Sequence, residues 1–313
     1  MKFPVFDLHC DTAFELLNRD GRPVKSLLKN DLHIDLERAG ELGGYAQCFA
    51  CFTTPVFMEK PELVFEKELE TIVSQIQRNA DRINLAYTPN EIEKNLVEGR
   101  MSAILTIEGP AGFGFDPAML EDLFKIGFRI STLGWNESNP LTGSHRTGEG
   151  LSDLGKVYVK EAQRLGLLID VSHISDRAFW DIMEITGKPI VASHSNSRTV
   201  CDVSRNLTDD MFRAICETGG VAGINLYTDF LGASADLDTV CDHILHFMEL
   251  DTTGTHIALG GDLDGCEALP AGFAGIQDYE KLSQRLLERG LNETEVYNIF
   301  WNNAMGVMKR CCM

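Results

Sequence analysis

Short apolar runs of strand character alternate with longer amphipathic stretches along the whole chain. The runs fall at 5–9, 45–52, 101–107, 128–133, 167–171, 190–193, 221–226 and 256–260, eight in all. Between and after them, helical spacing covers 62–80, 89–98, 117–125, 152–165, 176–186, 208–217, 237–249, 278–288 and 293–308. Thr88-Pro89 places a capping residue before proline at a first helical position, and Gly99, Gly127, Gly166 and Gly187 fall where helices should stop. Nearly continuous apolar strands separated by helices predict a parallel sheet covered on its outer side. Eight such units in about 260 residues predict an α/β fold, a (β/α)8 TIM barrel, and no G-x-G-x-x-G follows any strand to favour an open doubly wound sheet. Without a linker, charge block or repeat to divide it, the chain reads as one domain, 1–313.

Composition narrows the partners. Apolar residues make up 44% and charged residues 24% of the 313 residues, as in ordinary globular proteins. With 47 acidic against 28 basic residues the net charge is −19, which repels nucleic acid and anionic membrane. The N-terminal apolar stretch is too short for a signal peptide, and no window approaches the roughly 18 consecutive apolar residues of a membrane span. Nine scattered cysteines give no disulfide framework and suggest a reducing, cytoplasmic location. Cys48-Phe-Ala-Cys51 has C-x-x-C spacing but lies in an apolar run and lacks a second pair. Cys311-Cys312 reads as a mobile tail with reactive thiols.

The chemistry lies where the apolar runs end. In Asp7-Leu-His-Cys-Asp-Thr12, strand alternation points His9 and Asp11 to one face and Cys10 to the other. Glu108 ends the third run, His173 the fifth, His194 the sixth and Asp262 the eighth. In a barrel all six converge on the C-terminal face, where barrel enzymes place their sites. Two divalent metals sharing a bridging carboxylate need about this inventory of imidazoles and carboxylates. The long loops at 110–116 and 135–150 are candidate walls of a substrate pocket.

Taken singly, each of these residues also has a plain structural reading, and their common placement is what sets them apart. His33-Ile34-Asp35 repeats the H-x-D spacing but follows no strand, so it is expected to be structural. His243 and His246 lie on an ordinary amphipathic helix, and His145 in the long fourth loop is either a solvated side chain or a substrate contact. Arg205, in Ser204-Arg-Asn206, either presents its fork of donors to a substrate carboxylate or closes a loop salt bridge.

Asp7-Leu-His-Cys-Asp-Thr12, Thr106-Ile-Glu-Gly109, Arg164-Leu-Gly-Leu-Leu-Ile-Asp-Val-Ser-His173, Pro189-Ile-Val-Ala-Ser-His-Ser195, Ser204-Arg-Asn206 and Gly260-Gly-Asp-Leu-Asp-Gly265 resemble, in order, the signatures of the membrane (renal) dipeptidase family of zinc peptidases. Asn302-Asn-Ala-Met305 resembles the family's closing helix. The resemblance implies a metal-dependent amidohydrolase barrel with two Zn2+ per chain. His9 and Asp11 would hold one, His173 and His194 the other, and Glu108 would bridge them. Asp262 would be the acid/base, with Asp264 as the competing assignment. Arg205 would bind the free carboxylate of a dipeptide, and Tyr227 is a further pocket candidate.

One departure stands out. The renal enzyme's substrate-contacting histidine after the fourth strand is not matched, since Ser131-Thr-Leu-Gly-Trp-Asn136 has Trp135 near that position, as in the family's bacterial branch. No membrane anchor is matched either. The family also suggests a homodimer. The implied reaction is hydrolysis of dipeptides, including those with a C-terminal D-residue, by a metal-bridged hydroxide. A binuclear hydrolase of another small amide, such as an N-acyl amino acid or a lactam, and a non-catalytic metal-binding protein are the competing expectations.

Overall fold

A computed structural model of the chain describes residues 2–18, 21–56 and 58–312. Among these residues nine parallel strands run in chain order: β1 (Val5–Cys10), β2 (Tyr45–Phe52), β3 (Ile83–Leu85), β4 (Met101–Glu108), β5 (Phe128–Thr132), β6 (Leu168–Asp170), β7 (Ile190–Ala192), β8 (Val221–Ile224) and β9 (Ile257–Leu259). β1 pairs with β2 and β9, and β2 pairs with β4, which closes β1, β2 and β4 to β9 into an eight-stranded barrel with helices between strands. This is the (β/α)8 TIM barrel of the sequence pattern. The unpredicted β3 is an accessory strand on the first half of β4, whose second half pairs with β5 along the same edge.

The barrel interior is a layer to which every barrel strand contributes. Phe6, Leu8, Ala46, Cys48, Ile104, Ile130, Leu168, Val191, Val221 and Ala258 meet Trp301, Ala304, Met305 and Met308 from the closing helical segment. That segment runs through Glu293–Tyr297, a π-turn at Asn298–Asn302 and the helix Asn303–Cys311. It packs as a plug, with Asn303 Nδ2 donating to the carbonyls of Gly254 and Ile257 at the base of β9. Cys311 and Cys312 are buried in this layer, so the expected mobile tail is corrected to a packed end, and burial pushes both thiols up. Replacing Trp301 by alanine, which empties the space against Phe6 (ring centroids 5.7 Å apart), is expected to cost about 3–5 kcal/mol in denaturant unfolding.

Boundary chemistry explains several helices. Thr88 caps Pro89–Val97 in a capping box with Glu91, and Gly127 and Gly166 end their helices with positive φ. Gly187 does not, because its helix already stops at Met183. The segment 117–125 divides into a 3-10 turn, Pro117–Met119, and the helix Leu120–Ile126. No helix among the described residues is long and apolar enough to cross a membrane.

Candidate active site

At the C-terminal end of the barrel the register between β1 and β2 slips by one residue between Asp7 and Cys10. This bulge re-aims the strand's last side chains. Leu8 joins the inner layer, Cys10 packs in the outer core, and His9 turns toward the barrel axis. The outward Asp7 holds the bend by accepting the N–H of His9 (3.0 Å) and of Gly261 (3.1 Å). His173 and Asp262 adopt positive φ, 72° and 56°, in turns beyond their strands. Such strained backbone in non-glycine residues collects at functional sites. A Cβ on Gly260 would lie 1.7 Å from the carbonyl oxygen of Ser193, so glycine there lets the turns beyond β7 and β9 meet closely.

Glu108 lies between two groups of side chains. Its Oε2 is 3.3 Å from His9 Nε2, and its Oε1 is 2.9 Å from His173 Nε2 and 3.9 Å from His194 Nε2. Asp11 Oδ2 and Asp262 Oδ1 approach His9 Nε2 at 3.5 and 3.9 Å. The donor atoms of His9, Glu108 and His194, and again those of His9, Asp11 and Asp262, lie within 4.8 Å of one another. His9 Nε2 and Asp11 Oδ1 are buried without a hydrogen-bond partner, and the Nε2 atoms of His173 and His194 face each other at 2.9 Å. Buried ligand-type atoms without partners, and two imidazole nitrogens aimed at one point, fit a cation.

The electrostatics agree. Burial, with Arg205 and His9 nearby, holds His173 and His194 well below the ordinary imidazole value, which keeps them neutral as metal ligands must be. Burial opposes charge on His9, but Glu108 and Asp11 outweigh it and raise its pKa. A proton on His9 and a metal cation therefore compete for the same carboxylates. Burial, with Asp11 and Glu108 close by, pushes Asp262 up to about 8, and Asp11 rises to about 6.

Above this layer opens a cavity of about 470 Å3. Aromatic side chains of Phe14, Phe52, Trp135 and Phe230 wall it, and Asp262, Tyr227, His145 and Arg146 reach it. Trp135 packs edge-on against Phe52, with ring centroids 5.2 Å apart. Tyr227 sits at the acidic rim, and burial together with Glu267 and Asp229 raises its phenol pKa. Arg205 stands one layer behind, only 4% exposed, with its guanidinium 5.3 Å from the Phe230 ring. It donates to Ser195 Oγ at 3.2 Å, and its Nε has no hydrogen-bond partner. No loop salt bridge involving Arg205 is found among the described residues, the other reading of its sequence context.

Several contributors carried no sequence signal of their own. Asn136 Oδ1 accepts from His173 Nδ1 and His145 Nε2, both at 2.9 Å. His145 is thus a cavity residue, and burial with Arg205 beside it lowers its pKa to about 3. Asn225 Nδ2 donates to Asp262 Oδ2 at 3.0 Å, leaving Oδ1 toward the cluster. Asp264 also reaches the cavity, but its oxygens accept Thr12 Oγ1 and the His33 N–H, both at 2.6 Å. His33 and Asp35 lie outside the cluster. His33 brackets Asp264, and Asp35 caps the helix Leu36–Ala39. At the other end of the barrel Cys216, Asp251 and His256 also gather, but Asp251 is occupied by the N–H groups of Thr253, Thr255 and His256, and organises a turn.

Known proteins share this architecture. The chain is 30% identical to an uncharacterized dipeptidase of Schizosaccharomyces pombe over 98% of its own length and 80% of that protein. Among solved structures it is similar to a metallopeptidase from Rhodobacter sphaeroides liganded with a phosphinate mimic of the dipeptide L-Ala-D-Ala. That match has a TM-score of 0.90 and 25% identity, covering 99% of this chain and 100% of that one. It is similar also to dipeptidase AC of peptidase family M19, with a TM-score of 0.91, 26% identity and 99% of each chain covered. The family model described as membrane dipeptidase (peptidase family M19) matches residues 1–312. The chain therefore belongs to the membrane dipeptidase family, and is a metal-dependent dipeptidase hydrolase.

Proposed function

We propose that the protein hydrolyses free dipeptides with two Zn2+ ions held at the barrel mouth, His9 and Asp11 on one, His173 and His194 on the other, and Glu108 between them. The observation that carries this reading is the division of Glu108, one oxygen toward His9 and the other toward His173 and His194. Zinc there supplies a Lewis acid that acidifies water and stabilises oxyanion charge. Asp262 takes the proton of the attacking water on Oδ1, the oxygen that Asn225 does not bond, and returns it to the leaving amine. The cavity admits a substrate of dipeptide size, and its aromatic walls offer surface for the substrate's side chains. Arg205 receives the substrate's free carboxylate, and Tyr227 lines the pocket. A C-terminal D-residue is accepted, a reading supported by the L-Ala-D-Ala mimic bound to the Rhodobacter sphaeroides relative.

Metal analysis of the purified protein, run beside a panel of L-L and L-D dipeptides and their N-acetyl and C-terminal amide versions, tests this. Two zinc ions per chain and turnover confined to substrates with both termini free are expected. Preferred cleavage of N-acyl amino acids would replace the reading with the other amide class. Arg205→Met is expected to raise KM for free dipeptides roughly 10- to 100-fold, the worth of a charge-assisted hydrogen bond. An equal loss on dipeptide amides would remove Arg205 from carboxylate recognition.

A further inference from the structure

Asp170 closes β6, is 2% exposed and does not line the cavity. Its Oδ1 accepts the N–H groups of Ser172 and Ser193, both at 2.9 Å, and its Oδ2 accepts the Ser193 hydroxyl. A carboxylate has no proton to give, so the single hydroxyl proton of Ser193 is committed to Asp170. Ser193 Oγ also lies 2.6 Å from His194 Nδ1, and toward that nitrogen it can only accept. Nδ1 must then carry the ring proton, and the lone pair of the neutral imidazole sits on Nε2. That atom faces His173 Nε2 at 2.9 Å and Glu108 Oε1 at 3.9 Å.

We propose that Asp170 and Ser193 form a relay that sets the tautomer of His194, so that its Nε2 lone pair is presented to a metal cation. Both are positioning residues, since neither touches the cavity. His173 has a shorter version of the same device, its Nδ1 proton being taken directly by Asn136 Oδ1. Where a metal-binding histidine donates its other ring N–H, that partner fixes ring orientation and basicity, and its loss lowers metal affinity roughly 10- to 100-fold. The inference rests on the proposed ligand role of His194.

Asp170→Asn tests it through polarity, with little change of shape. The amide oxygen can keep the two backbone N–H bonds, while the amide nitrogen now donates to Ser193 Oγ. The serine proton is freed to turn to His194 Nδ1, which drives the ring proton onto Nε2. In metal-depleted protein labelled with 15N-histidine, His194 is expected to change from the Nδ1–H to the Nε2–H spectral signature. Zinc titration is expected to show one of two equivalents weakened about 10- to 100-fold. Ser193→Ala should leave both tautomers populated with a smaller loss, and Ser193→Thr, which restores a hydroxyl, should recover most of it. These two variants decide the matter if Asp170→Asn does not fold. A His194 signature unchanged in Asp170→Asn, or equal effects of Ser193→Ala and Ser193→Thr, would overturn the relay. A changed signature with both zinc equivalents still held as in the wild type would instead overturn the ligand role of His194, and with it the relay's purpose.

Discussion

Asp262→Asn is expected to retain both metal ions while kcat falls by about 10²- to 10⁴-fold, the usual range for a lost general acid/base. The substitution preserves shape and the contact with Asn225, but removes the carboxylate oxygen proposed to accept and return the proton. Metal content and turnover measured on one preparation check the expectation, and wild-type turnover would dismiss Asp262 from the role. Asp264→Asn is the control, because its two oxygens are already engaged by Thr12 and His33. Asp262→Asn should also stabilise the metal-depleted protein. Burial pushes the Asp262 carboxyl up to about 8 in the folded chain, above the ordinary aspartate value of 3.8. A group raised in this way contributes its stability below the lower value and loses it as pH climbs through the higher one. Metal-depleted Asp262→Asn should therefore melt above metal-depleted wild type at pH 7 to 8, with the gap narrowing as pH falls toward 4.

Glu108→Ala is expected to weaken both metal equivalents together and to lower activity more than about 10⁴-fold, beyond the loss from one acid/base alone. The reason is geometric, since the two oxygens of one carboxylate serve both halves of the cluster. Removing it also lowers the pKa of His9, which Glu108 holds up. Glu108→Gln separates the lost charge from the lost volume. Zinc titration by calorimetry gives the reading, and two tightly held ions in Glu108→Ala would contradict the bridge.

Most of the barrel could be read from sequence because its strands lie in largely apolar runs, five of them closed by a histidine or carboxylate. β3 escaped notice because Ile83-Asn-Leu85 is too short to separate from a loop. The fate of Cys311 and Cys312 was illegible for another reason: the layer that buries them is built from strands spread over the whole chain. The cluster itself was visible wherever a histidine or carboxylate interrupted such a run, as at Glu108 and His194. Its supports were not, because they act between distant segments: Asn136 on His173, Asn225 on Asp262, Asp170 on Ser193. Asp170 did leave a trace, a carboxylate inside the apolar Leu168-Ile-Asp-Val171, where only a buried partner can justify it.

The pairing of β1 with β9 has a consequence for how the protein is made. Asp7 stands opposite Leu259, so β1 keeps an open edge until some 250 further residues have followed it from the ribosome. His9 and Asp11 wait on one side of that seam and Asp262 on the other. A nascent chain carries only fragments of the cluster, and metal capture must wait until β9 and the turn beyond it have been made.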